Sequence, residues 1–169
     1  MNVTENAGQP EIVFRALDAG GEFPSVVGPL VEAAKRELPG RPELEPPDEG
    51  EYAAKNRGVL LVAYLGRQAS ATGGYRAFPG DPTGNTAEVR RMFVRTGARR
   101  SGLGRTMLAE LEERAWDDEY GQMLLYATED LAAARALYEM AGYRRHTDFD
   151  PKDDSGRLAY VKQLNGQAN

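Results

Sequence analysis

A chain of 169 residues with 41% apolar and 28% charged side chains has the make-up of a soluble globular protein large enough to bury a sizeable core. Its net charge of −5 argues against a general nucleic-acid or anionic-membrane surface. With no cysteine, disulfides, a thiol nucleophile and thiolate metal sites are excluded together.

Residues 1–10 are polar and read as a flexible tail, with neither the basic start nor the apolar core of a secretory leader. No stretch reaches the length of a membrane span, so the expected location is cytoplasmic. Glu11 to Asp18 reads as a first strand. From Phe23 to Leu38, Val26, Val27, Leu30, Val31, Ala34 and Leu38 share one helical face, Pro24 is tolerated in the first turn, and Pro39-Gly40 ends the helix. Pro42 to Glu51 is a proline-rich acidic loop.

Gly58 to Leu65 is an almost unbroken apolar run, the mark of a strand covered on both faces. Gly66-Arg67 turns it into a second strand, Gln68 to Phe78, where Gly73-Gly74 predicts a bulge or a close backbone approach. After the turn-rich Pro79 to Asn85 comes a strand from Thr86 to Val94 with an irregularity. Val89 and Met92 are three apart, so either both faces are buried or a bulge shifts the register.

Thr96-Gly97 and Arg99 to Gly104 then lead into an amphipathic helix with Leu103, Met107, Leu108, Leu111 and Ala115 on one side and Glu110, Glu112, Glu113, Asp117 and Asp118 on the other. Gln122 to Ala127 reads as a buried strand, Thr128 as the N-cap of a further helix with Glu129 and Asp130 in its first turn, and Gly142 as its C′ residue. Strands at Tyr143 to Phe149 and Leu158 to Leu164 close a single domain over residues 11–164, with 165–169 as a frayed tail. The order β-α-β-β-β-α-β-α-β-β predicts an α/β (α+β) fold: a central mixed, mostly antiparallel sheet flanked by helices, with a parallel crossover around the helix that begins near Gly102.

The strand–turn–helix junction at Arg99 to Arg105 is where the chemistry points. The first helical N–H groups lack intrahelical partners and the macrodipole adds about half a positive charge there, which makes an anion site. Gly102 and Gly104 leave the backbone open to a phosphate. Arg90, Arg91, Arg95, Arg99, Arg100 and Arg105 fall within sixteen residues of an otherwise acidic chain. Neither a dinucleotide GxGxxG nor a GxxxxGK[ST] loop is present.

Val94, the R-x-x-G-x-G of Arg99 to Gly104, and Ala134-x-x-Leu137-Tyr138-x-x-x-Gly142-Tyr143 resemble the acetyl-CoA-binding motifs of the GCN5-related N-acetyltransferase (GNAT) superfamily over roughly residues 10 to 164. The resemblance implies a GNAT-like acyl-CoA acyltransferase fold and an enzyme that moves an acetyl group from acetyl-CoA, without a metal, to a primary amine of a small-molecule or amino-acid-like acceptor. It implies that Met92, Phe93 and Val94 meet the pantetheine arm. Arg99, Arg100, Ser101, Gly102, Leu103, Gly104 and Arg105 would cradle the pyrophosphate.

Tyr138 falls at the position of the family's general acid, and a phenol titrating near ~10 is protonated at neutral pH. Glu88 falls where many family members carry a base, and an exposed strand-end glutamate is the alternative. The Pro42 to Glu51 loop borders the acceptor pocket in such proteins, where its charge would draw an amine. Leu131 departs from the pattern, since a polar residue is usual three positions before Ala134. His146, the only histidine, has no partner in sequence and reads as a surface strand residue. A non-catalytic acyl-CoA-sensing module is the alternative function, a nucleic-acid-binding domain built on the arginine patch is a further one, and exposed strands near the C-terminus suit a homodimer.

Overall fold

The computed structural model describes residues 10–17, 23–37 and 50–165. Seven strands form one sheet in the order β1-β2-β3-β4-β5-β7-β6. They are β1 Ile12–Ala16, β2 Val59–Leu65, β3 Gln68–Ala77, β4 Thr86–Val94, β5 Gln122–Thr128, β6 Arg144–Arg145 and β7 Arg157–Gln163. All neighbours run antiparallel except β4 and β5, which are parallel as the β4–helix–β5 crossover requires.

Helices α2 (Leu103–Asp117) and α3 (Ala132–Met140) cover one face of the sheet, and α1 (Gly28–Glu37) covers part of the other. β2 shows why its run is apolar throughout. Leu61 and Ala63 join the α2 side, whereas Leu60 and Val62 pack with Val27 and Tyr52 on the opposite side.

Several elements depart from the sequence reading. The first helical segment begins as a π-helical turn, Phe23–Val27, before α1. Pro29 lacks the N–H that would carry an α-helical bond back to Ser25, which accounts for the wider turn. Leu38 to Glu49 and the two terminal tails, 1–9 and 166–169, lie outside the described residues.

Thr128 does not cap α3. It ends β5 and bonds Asp130, and α3 starts at Ala132 behind Leu131, so Glu129 and Asp130 precede the first turn. Full pairing of β5 with β7 through Thr128 holds that residue in the sheet. The far end of α3 is as expected. Gly142 takes φ +96, and the Tyr143 and Gly142 N–H groups donate to the Tyr138 and Glu139 carbonyls in a Schellman motif.

The strand expected from Tyr143 to Phe149 is only the two residues of β6. A short 3-10 turn at Thr147–Phe149 replaces the rest, and His146 is an exposed residue between them with its ring 4.9 Å from Phe149. Glu112, assigned to the solvent side of α2, is buried, with Lys162 of β7 2.8 Å from its carboxylate. It flanks the apolar stripe where β7 passes, a neighbour helical periodicity does not reveal.

Candidate active site

Strand β4 builds the site through two irregularities. Opposite β3, Thr72 pairs with Phe93 and Gly74 with Arg90, so Arg91 and Met92 together face Gly73. This β-bulge puts Arg91 at φ +58, a left-handed conformation that costs a non-glycine residue about 1–2 kcal/mol. The bulge explains the three-residue spacing: Val89 and Met92 both reach the apolar cluster beneath α2. Gly73 is required there, because a Cβ would lie 2.7 Å from Met92 Sδ and 2.9 Å from Met107 Cγ.

Opposite β5, the parallel ladder is only Thr86–Gln122, Ala87–Met123 and Glu88–Leu124. From Val89 onward β4 has no ladder partner on that side, and the sheet forks. Backbone N–H and C=O groups along the fork are thereby left for a bound molecule.

At the open end, a 3-10 turn Thr96–Ala98 precedes Arg99, Arg100 at φ +65, Ser101 and Gly102 at φ +79. The first backbone bond of α2 runs from the Thr106 N–H to the Gly102 carbonyl, and among the described residues no backbone acceptor takes the N–H groups of Arg100 to Arg105. A Cβ built on Gly102 meets nothing within 4 Å. Open space, unpaired N–H groups and the positive end of a 15-residue helix fit a phosphate.

The two glycines differ in use. A Cβ on Gly104 would meet Leu137 Cδ2 at 3.2 Å and Val94 Cγ2 at 3.6 Å, so Gly104 lets α2 approach α3 and β4 rather than opening the cradle. Leu103 is buried in the core and contributes its N–H alone to the opening. Ser101 bonds the Ala98 carbonyl and shapes the turn.

The six arginines do not make one patch. Arg100 and Arg105 stand exposed beside the helix start. Arg99 donates to the Val94 carbonyl at 3.0 Å and pairs with Glu37 of α1, tying α1 to the loop. The hydrogen bond from Thr96 and the Arg99 guanidinium hold the Glu37 carboxyl below its usual value. Arg95 is half-buried with an unpaired Nε, and Arg90 and Arg91 lie on the far side of the sheet. Alternation on a strand, altered by the bulge, separates charges that are adjacent in sequence.

Tyr138 projects from α3 into the α2-side cluster, 8% exposed, its ring 6.3 Å from Tyr143. Phe93 points the other way and packs on Leu30 and Ala34 of α1. Glu88 is on the side away from α2, at the last paired position before the fork. It is neither exposed nor free: its side chain is 7% accessible and Arg76 Nε lies 3.1 Å from Oε2.

Sequence reasoning missed the surroundings of Glu88. Glu51 Oε1 receives Arg76 at 3.2 Å and Arg90 at 3.0 Å, Oε2 is 3.7 Å from Arg91, and Arg91 Nε donates to the Tyr52 hydroxyl at 2.8 Å. Burial pushes the Tyr52 phenol up to about 12, partly offset by Arg91. Glu51 is thus neutralised by arginines and offers no bare negative charge to an amine; the rest of its acidic loop lies outside the described residues. Leu131, half-buried at the N-cap of α3, makes no side-chain capping bond.

A mixed sheet forked beside a glycine-opened helix start defines the acyl-CoA N-acyltransferase fold. Residues 29–143 match the acetyltransferase (GNAT) family, and the chain belongs to that family. Solved structures of this shape include a GNAT-family acetyltransferase from Staphylococcus aureus Mu50, 15% identical at a TM-score of 0.71 over 90% of this chain and 100% of that one. A GNAT-family acetyltransferase from Streptococcus pneumoniae is 13% identical, with a TM-score of 0.71 over 92% of this chain and 100% of that one. yncA of Salmonella typhimurium, solved with its cofactor acetyl-CoA, is 15% identical, with a TM-score of 0.68 over 94% of this chain and 96% of that one. No curated protein matches this chain. Among the described residues no helix is long and apolar enough to cross a membrane.

Proposed function

We propose that this chain is an N-acetyltransferase that moves an acetyl group from acetyl-CoA to a primary amine of a small-molecule or amino-acid-like acceptor by direct attack within a ternary complex. The observation that carries the reading is β4 itself, bulged at Arg91, released from β5 after Glu88 and aimed at the open N-terminus of α2. Acetyl-CoA, when bound, supplies an activated thioester carbonyl.

The N–H groups of Arg100 to Arg105 and the helix dipole would hold the pyrophosphate, with Arg100 and Arg105 adding charge at the rim. Backbone groups of Met92, Phe93 and Val94 would orient the pantetheine arm along the fork; the Val94 carbonyl already accepts from Arg99, leaving one lone pair. Glu88 would accept the amine's proton, directly or through water, and Tyr138 would protonate the departing thiolate. Tyr138 and Glu88 approach from opposite faces of the sheet, and beyond the Glu88–Leu124 pair the fork connects them.

Calorimetric titration with acetyl-CoA, with ATP and NAD as controls, tests the donor. Selective micromolar binding, on the order of −8 kcal/mol, is expected, followed by CoA release when amines are added. Absence of selective binding would overturn the reading.

A further inference from the structure

The face of the sheet away from α2 and α3 carries, beside the fork, a charge cluster drawn from three parts of the chain. Glu51 precedes β2, Arg76 lies on β3, and Glu88, Arg90 and Arg91 lie on β4. The carboxylates are innermost: Glu51 and Glu88 are each 7% exposed, whereas Arg90 and Arg76 keep 23% and 29% of their surface. What this cluster shows to solvent is therefore mainly arginine side chain, on a chain whose net charge is −5.

The outer arginines also have donors to give. Arg90 uses Nη1 on Glu51, and Arg76 uses Nε on Glu88 and Nη1 on Glu51. Among the described residues Arg90 Nε and Nη2 and Arg76 Nη2 have no partner. Arginines recruited only to neutralise two buried carboxylates would be directed inward and saturated. A planar guanidinium fork with free N–H groups matches a carboxylate in a bidentate geometry.

The spacing of charges adds a second constraint. Arg76 Nε and Glu88 Oε2 are 3.1 Å apart, so a cation and an anion stand side by side at the mouth of the fork. A ligand with an ammonium and a carboxylate on neighbouring atoms complements that arrangement. Phe78, Tyr126 and Phe149, all partly buried on the same face, form an apolar wall next to it. Tyr126 lies two residues beyond Leu124, the β5 partner of Glu88, on the same face; burial first, and then the charge of Glu88, raise its phenol.

We infer that the acceptor carries a carboxylate beside the amine it offers, that Arg90 and Arg76 hold this carboxylate, and that Glu88 faces the amine. The inference rests on the acetyltransferase reading above and narrows its acceptor to free α-amino acids and their close analogues. Arg90 and Arg76 are binding residues in this scheme and take no part in the proton transfers.

The test uses the full chain with acetyl-CoA and pairs of amines that differ only in the carboxylate: phenylalanine against phenethylamine, leucine against isoamylamine, lysine against cadaverine. The carboxylated member should have the higher kcat/KM by roughly tenfold to 100-fold, the value of a charge-assisted hydrogen-bond pair. Arg90→Met should drive that ratio toward one. Arg90→Lys, which preserves the charge on Glu51 but loses the fork, should give an intermediate ratio and supplies the test if Arg90→Met does not fold. Equal use of both members, or a ratio unchanged in either variant, overturns the carboxylate assignment while the acetyltransferase reading stands. Failure to acetylate any amine overturns that reading and this inference with it.

Discussion

On one side of β4, Ala87, Val89, Met92 and Val94 meet the apolar faces of α2 and α3; on the other, Glu88, Arg90 and Arg91 meet Glu51, Tyr52 and Arg76. Stability on the first side comes from excluded water, at about 25 cal/mol per Å² of apolar surface. Ion pairs on the second offset much of their attraction with desolvation, so their net contribution is small and their effect is to fix charge in a defined place. The same strand can thus anchor the fold with one set of side chains and select a ligand with the other.

The largest effect separating the two sides should come from Leu111→Ala on the dry face. Leu111 is fully buried, and the variant should lose about 2–5 kcal/mol in urea unfolding; a loss below ~1 kcal/mol would mean that this face is not the source of stability. Gly102→Glu should cost the fold only about 1–2 kcal/mol, since the new side chain meets open space but must take φ +79, and should weaken acetyl-CoA at least about 100-fold by placing negative charge at the cradle. Unchanged affinity in calorimetry would remove the phosphate assignment.

Tyr138→Phe should lower kcat by roughly tenfold to 100-fold with donor affinity retained, as loss of a general acid does; an unaltered rate would transfer the role to water or another acid. Glu51→Gln, on the charged side, should cost about 1–3 kcal/mol because three arginines lose their shared partner. A stabilised variant would show that Glu51 is not what holds the three arginines in place.

A control outside both faces is Asp81, in the turn that leads into β4. Hydrogen bonds from the Thr83 and then the Thr86 hydroxyl hold its carboxyl at about 2. A depressed value means stability present above the unfolded value near ~3.9 and lost as the pH falls through the folded one. Asp81→Asn should therefore flatten the acid limb of the stability curve between about pH 4 and 2, measured by thermal unfolding, and leave neutral-pH activity untouched.

Much of this architecture was legible in the sequence. The element order, the limits of β4, the irregularity between Val89 and Met92, the open Gly102 and the Gly142 stop all follow from local rules: side-chain period, backbone sterics and unsatisfied helix ends. Those rules act over a few residues, so a single chain displays them without its fold. Tertiary structure alone decided which arginines cooperate, why Glu112 is buried against Lys162, why β6 is two residues long, and that Gly104 serves packing while Gly102 serves opening. The Glu51 network joins residues 25 to 40 positions apart, and a charge reveals its partner only when the sheet brings distant segments within hydrogen-bond reach.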